Sequence, residues 1–341
     1  MSIKFKNNEY DPFIDYIKGT CIIFVIWTHC FFRDELDSIL FPFWGDNAVP
    51  LFLLIQVFHF YKKENSNNFP SIKKLWKRII LPFIILMVFT FSFDYFIYFE
   101  ETSGKINIPL YWNNRGPGSY YIFIYIQFTF LLPIIRPILN RLSLKWLCLL
   151  FIIVSHIFEF SFCVISCPDA FFRITFFRYT FLIFMGYLLA KKGIPFNKTT
   201  LMLSAISMVF IYLFNYTTYD WGYLFCTTFD NWSSCHWVCY IYITILFLYI
   251  IKILYHKLGY SLKTGIENIG KYSYEIYLFQ MFYFAIIKRY VKVIIFGYDA
   301  ITYEILFLII TTVICLSPSM ILYNYNKHHR HTHHSPQKNS I

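Results

Sequence analysis

The chain reads as an all-α, polytopic membrane protein with about ten transmembrane helices and both termini in the cytoplasm. Three observations predict this. Hydrophobic residues make up 57% of the 341 and charged residues only 14%, against roughly 25% charged in a soluble domain. Apolar runs of about 20 residues, enough to span a bilayer as a helix, recur at 13–32, 40–60, 79–99, 119–138, 145–165, 171–190, 199–217, 236–256, 273–291 and 301–323. Of the 30 Lys and Arg, 22 fall on one side of such a bundle if the N-terminus is inside, and the positive-inside rule makes that side cytoplasmic. The strict alternation of an outer-membrane barrel is absent, so helices are the spanning solution.

The first segment carries the most informative residues. Lys18 and His29 lie eleven residues apart, three helical turns plus about 20°, and about 16 Å along the axis. Asp15, Lys18, Ile22, Val25 and His29 therefore form one stripe. Ionisable groups inside a bilayer face a bundle interior or a cavity. Two readings stand for each. Lys18 snorkels to the inner interface or lines a site. His29 bonds a neighbouring helix, or it removes a proton from a hydroxyl or accepts an acyl group. Asp15 is about 21 Å from His29 along the helix and pairs instead with Lys18 one turn away. Asp15 and Lys18, with no small-residue cleavage site after them, also speak against a signal peptide.

The third segment is preceded by Lys73-Lys74-Leu75-Trp76-Lys77-Arg78. Such a cluster anchors an inner helix end, or holds a polyanionic cytosolic ligand such as coenzyme A. Arg115-Gly116-Pro117-Gly118 is a turn that launches the fourth segment. Arg173 and Arg178 open the sixth segment on the outer side, against the charge bias. They pair with Asp169 or bind an acidic glycan or lipid phosphate. Asp94, Glu159, Glu275 and Glu304 are candidate partners for His29 or for interhelical polar contacts. The seventh segment is the weakest of the ten.

The formal charge of +11 follows membrane topology, and no nucleic-acid module is present. Cys21, Cys30, Cys148 and Cys315 read as small buried hydrophobes. Cys163, Cys167, Cys226 and Cys235 fall near outer ends, where a disulfide is allowed. Cys235-His236-x-x-Cys239 lacks a fourth ligand, so no metal is expected. Residues 1–326 form one integral-membrane domain, and 327–341 a disordered, His-rich cytoplasmic tail.

Taken together these motifs resemble the acyltransferase 3 family of integral-membrane acyltransferases. Asp15-x-x-Lys18-Gly19 followed by His29 is similar to the family's first-helix motif, with Lys18 where Arg is usual. Val49-Pro50-Leu51-Phe52-Leu53, Lys74-x-x-Lys77-Arg78 with Pro82, Gly118-Ser119-Tyr120-Tyr121 through Leu132-Pro133, Phe184-Met185-Gly186-Tyr187, and Ile269-Gly270-Lys271-Tyr272-Ser273-Tyr274-Glu275-Ile276-Tyr277-Leu278 resemble further signatures in the right order. The chain departs from the pattern at Gln56-Val57, where a Ser-Gly pair is common, and at Gln280, where His is common. The resemblance implies transfer of an acetyl or other acyl group from cytosolic acetyl-CoA to a hydroxyl of a surface-polysaccharide or lipid-linked sugar, in a bacterial cytoplasmic membrane. Membrane lipid and polysaccharide assembly machinery are the implied partners. It implies catalytic roles for His29 and Lys18, donor binding by Lys74, Lys77 and Arg78, and acceptor binding by Arg173 and Arg178. The alternative is a non-catalytic transporter of a glycan or lipid-linked intermediate. No inverted repeat or matching pair of broken helices supports that alternative.

Overall fold

The structure is a computed structural model. It describes residues 2–3, 10–31, 40, 43–62, 71–98, 120–165, 171–172, 174–195, 197–216, 237–295, 297 and 300–333. The described residues are almost entirely helical, as expected. Their one extended pairing is a two-residue antiparallel bridge, Ser2–Ile3 with Ile194–Pro195.

Each of the ten apolar runs holds a helix. They are α1 (Pro12–Thr28) and α2 (Ala48–Lys62); α3, built from Ile72–Leu75, a π-helical turn Trp76–Ile80 and Leu81–Tyr98; α4 (Tyr120–Arg141) and α5 (Leu144–Val164); α6 (Thr180–Lys191), entered through a 3-10 turn Phe176–Tyr179; and α7 (Lys198–Tyr216) and α8 (Trp237–Lys257). An eleventh helix, α9 (Tyr260–Lys271), follows. Then come α10, built from Ser273–Phe282, a second π-helical turn Tyr283–Ile287 and Lys288–Ile294, and α11 (Ala300–His333).

Among the described residues five stretches are long and apolar enough to cross a membrane: Ile72–Ser92, Tyr120–Arg141, Leu144–Phe162, Val238–Lys257 and Thr302–Tyr325. Helices α1, α2 and α6 are shorter, at 17, 15 and 12 residues. In α1 the helix stops at Thr28, so His29 is its C-cap residue rather than part of its last turn. At the other end of the chain, α11 continues to His333, into the stretch expected to be a disordered tail. No Gly or Pro interrupts 319–335, so nothing in the backbone chemistry stops the helix there.

Helix α1 is the hub. It packs against α2, α8, α9, α10 and α11, most densely against α9. Its apolar residues run around the whole helix, the signature of a buried helix, and Ile17, Cys21, Ile22 and Ile26 are fully buried. Glycines set the closest approach. A Cβ on Gly270 would collide with the Asp15 carbonyl, and one on Gly19 with the carbonyl of Ile266. Helix α9 is amphipathic, with Ile266 and Ile269 against the core and Lys263, Glu267 and Lys271 on other faces. Its polarity is why hydropathy alone missed it.

The periphery carries the opposite pattern. Val88, Phe89, Ile153, Phe160, Val209 and Val313 are exposed, as on lipid-facing helices. Of the cysteines expected to be buried, Cys21 and Cys315 are, whereas Cys30 and Cys148 are half-buried. The side chains of Cys163, Cys167, Cys226 and Cys235, and the turn at 115–118, lie outside the described residues.

Candidate active site

A cavity of about 980 Å³ opens between α1, α2, α3, α4 and the junction of α9 with α10. Local structure decides which residues reach it. On α1 the face repeating every three to four residues presents Lys18, Ile22 and Val25, the stripe predicted by helical periodicity. On α2 the same repeat presents Phe52, Ile55, Gln56 and His59. On α3 the π-helical turn widens the helix and Lys74, Arg78 and Ile79 face inward. The carbonyl of Ile79, within that turn, accepts a hydrogen bond from the Tyr274 hydroxyl at 2.7 Å. This ties α10 to the basic segment. Tyr121, Tyr125 and Thr129 come from α4, and Lys271, Ser273, Tyr274, Glu275 and Tyr277 from the α9–α10 junction.

The two ends of the cavity differ. Lys18, His59, Lys74 and Arg78 come from the start of α1, the end of α2 and the start of α3, so they share one end. Lys271 closes α9 beside them. Val25, Val49 and Tyr121 come from the opposite ends of α1, α2 and α4 and form an apolar, aromatic end. There Tyr121 and Tyr277 meet edge to face, centroids 5.6 Å apart. Gln56 sits between the ends and donates from Nε2 to the Tyr125 carbonyl at 2.9 Å and to Thr129 Oγ1 at 3.1 Å.

Lys18 acts from within an ion pair. Its Nζ donates to Asp15 Oδ1 at 2.9 Å, the one-turn pairing the spacing predicts. Asp15 Oδ2 accepts from the Tyr10 hydroxyl at 2.6 Å. Burial, and then the Asp15 carboxylate, push the Tyr10 phenol well above its ordinary range.

His29 lies one turn past Val25 and is not among the residues lining the cavity. Its carbonyl accepts a hydrogen bond from Lys288 Nζ at 3.1 Å. Its ring packs edge-on against Phe284, centroids 5.6 Å apart. Among the described residues no carboxylate bonds its ring: Glu159 is buried on α5, Glu275 lines the cavity and Glu304 is exposed on α11. The side chain of Asp94 lies outside the described residues.

The structure thus brings Lys18, Lys74 and Arg78 to one cavity and leaves Lys77 off its wall. Arg178 is buried in the turn before α6, its guanidinium 5.9 Å from the Tyr179 ring, away from the cavity lining. Arg173 lies outside the described residues. Sequence reasoning missed His59, Gln56 and the tyrosine wall. For α2 the signal was present, since Phe52, Ile55, Gln56 and His59 recur at helical spacing.

Residues 11–320 match the family model of the acyltransferase domain known as acyltransferase 3. The chain belongs to the acyltransferase 3 family. The match covers nearly the whole chain, including every helix around the cavity. No curated protein and no solved structure matches it. Family and apolar helices together make this a multi-pass membrane acyltransferase.

Proposed function

We propose that this acyltransferase moves an acetyl group, or another short acyl group, from a cytosolic coenzyme A thioester to a hydroxyl of a surface-polysaccharide or lipid-linked sugar. One observation carries the reading. A single cavity has Lys18, Lys74 and Arg78 at one end and runs along the α1 stripe toward His29. Phosphates of the donor suit the cationic end, where Lys and Arg make charge-assisted hydrogen bonds. Lys77, on the same short segment, adds to the positive field there. The pantetheine arm then lies along Ile22, Val25, Phe52 and the tyrosines, which offer an apolar wall.

At the far end His29 takes the proton of the acceptor hydroxyl. The hydroxyl oxygen attacks the thioester carbonyl, the C–S bond breaks, and the departing thiolate takes a proton to leave as free coenzyme A. In the covalent variant the His29 ring attacks first and carries the acyl group to the acceptor. On this reading Arg173 and Arg178, which precede α6 in the sequence, contribute to acceptor binding. The scheme needs the cationic end to face the cytosol. The charge bias supports that orientation, in a bundle of ten spans with both termini cytoplasmic in a bacterial cytoplasmic membrane.

The test is the ester-linked acetate on surface polysaccharide from cells carrying wild type, His29→Ala or no protein. General-base loss lowers rates by roughly 10²–10⁴, so His29→Ala should match the protein-free cells at equal membrane levels. Full acetate with His29→Ala sinks the mechanism. Unchanged acetate with altered polysaccharide export in all comparisons favours a transporter instead.

A further inference from the structure

Gln280 is fully buried on α10, with 0% of its surface exposed. Neither its Nε2 nor its Oε1 has a hydrogen-bond partner. Among the described residues it is the one carboxamide with both its donor and its acceptor buried and unpaired; Gln56, by contrast, lacks a partner only for Oε1. Buried amides are nearly always satisfied, and an orphan calls for a reason.

Its position supplies one. Ser273 and Tyr277 line the cavity, and Gln280 is seven and three residues further along α10, on the same stripe. The cavity ends one turn short of Gln280 on α10 and one turn short of His29 on α1. The two helices meet at that point. Phe284, one turn beyond Gln280 and inside the π-helical turn, packs its ring against that of His29 at 5.6 Å. Lys288, four residues further along, bonds the His29 carbonyl. The unpaired amide therefore sits one turn before the residue that packs on the proposed base, just beyond the end of the cavity away from the cations.

We infer that the Gln280 carboxamide binds the acceptor through two neighbouring hydroxyls, Nε2 donating to one oxygen and Oε1 accepting from the other. The choice of ligand follows from the atoms left open. A thioester carbonyl only accepts, so it leaves Oε1 unpaired. Adjacent hydroxyls of a polyhydroxylated ring offer a donor and an acceptor together. Gln280 so bound holds the acceptor with one hydroxyl turned to His29. The inference rests on the acyl-transfer reading and adds the recognition element for its acceptor class.

Three variants test it: Gln280→Leu, Gln280→His and Gln280→Glu, each beside wild type and protein-free cells. The readouts are ester acetate on surface polysaccharide, the melting temperature of the detergent-purified protein, and the rise in melting temperature caused by coenzyme A. Leu keeps the shape and removes the orphan amide, so it should melt at or above wild type. It should keep the coenzyme A shift and lose at least about tenfold of the ester acetate, one polar recognition contact's worth. A neutral imidazole also carries one donor and one acceptor, so Gln280→His should retain more acetate than Leu. Gln280→Glu, which only accepts when ionised, should lose acetate as Leu does, but at a lower melting temperature because it buries an unpaired charge.

Wild-type acetate with Gln280→Leu overturns the inference and marks the amide as a site for a structural water. A Gln280→Leu melting temperature several degrees below wild type also overturns it, because the amide is then paired within the fold. If wild type itself adds no acetate over protein-free cells, the acyl-transfer reading fails and this inference goes with it. An active wild type with an equally active Leu variant defeats the inference alone.

Discussion

Lys18 faces the cavity with its charge already balanced. An ammonium in a low-dielectric bundle is costly unless paired, and Asp15 and Tyr10 form a three-residue chain that holds it in place. Asp15→Asn leaves the ammonium without its counter-charge. We expect a stability loss of about 1–3 kcal/mol, below the 3–5 typical of a fully buried pair because Lys18 reaches the cavity. Melting curves of Asp15→Asn, Lys18→Met and the double variant measure it, and coupling between the two losses is the signature of the pair. Lys74 and Arg78 are exposed at the cationic end, so each contributes modestly. Lys74→Gln and Arg78→Gln should each raise the KM for acetyl-CoA roughly threefold to tenfold at low ionic strength, with kcat little changed. The difference should shrink in 0.5 M salt, since screening shortens the reach of exposed charge. A fall in kcat at constant KM would place these cations outside donor binding.

At the scale of elements, the crossing of α1 and α9 sets the geometry of the site. Gly19 and Gly270 let two backbones touch where any side chain would collide with a carbonyl. That contact fixes the height of Lys271, Ser273 and Tyr274 against Lys18. Gly270→Ala forces the helices apart, and overpacking of this kind typically costs about 1–3 kcal/mol. Here the obstacle is backbone, so the upper part of that range is expected. Thermal unfolding of the purified protein, with the coenzyme A shift alongside, gives the outcome: both should fall together. Gly265 is a built-in control, because a Cβ there meets nothing, and Gly265→Ala should leave stability equal or slightly higher. Two π-helical turns serve the same site. One carries Arg78 and Ile79 on α3, and the other carries Phe284, which packs on His29, on α10. Widened turns of this kind recur at functional sites because they re-aim side chains without ending the helix.

For the molecule as a whole, function depends on sidedness. In the proposed reaction the cationic end must meet a cytosolic donor, and the His29 end must meet an acceptor built for the cell surface. Twenty-two of the 30 Lys and Arg lie on the proposed inner side, a bias strong enough to set orientation. A green fluorescent protein fused after Ile341 should therefore fluoresce in bacterial cells, whereas alkaline phosphatase at the same point should be inactive. Phosphatase joined after Tyr216, beyond α7 and on the proposed outer side, should be active. The reverse pattern would turn the cavity toward the cell surface and remove the donor from its reach.

Length and hydropathy determined the class of this protein and the positions of its main helices, because a bilayer imposes one period and one length on every span. Periodicity likewise placed Asp15 beside Lys18 and put Lys18, Ile22 and Val25 on one wall, since those relations are local to one helix. The order of loose motifs was enough to indicate the family. Only the tertiary structure decided the rest. That Lys18 shares a cavity with Lys74 and Arg78 while Lys77 does not depends on how three helices meet and on a π-helical turn that leaves no mark in composition. The amphipathic α9 escaped notice because it is short and half polar, and its role comes from a glycine contact with a helix about 250 residues earlier in the chain. Gln280 stood out in the sequence only as a departure from a pattern. Its empty hydrogen-bonding capacity, one turn from the Phe284 that packs on His29, is a property of packing, and packing is written in no single stretch of the chain.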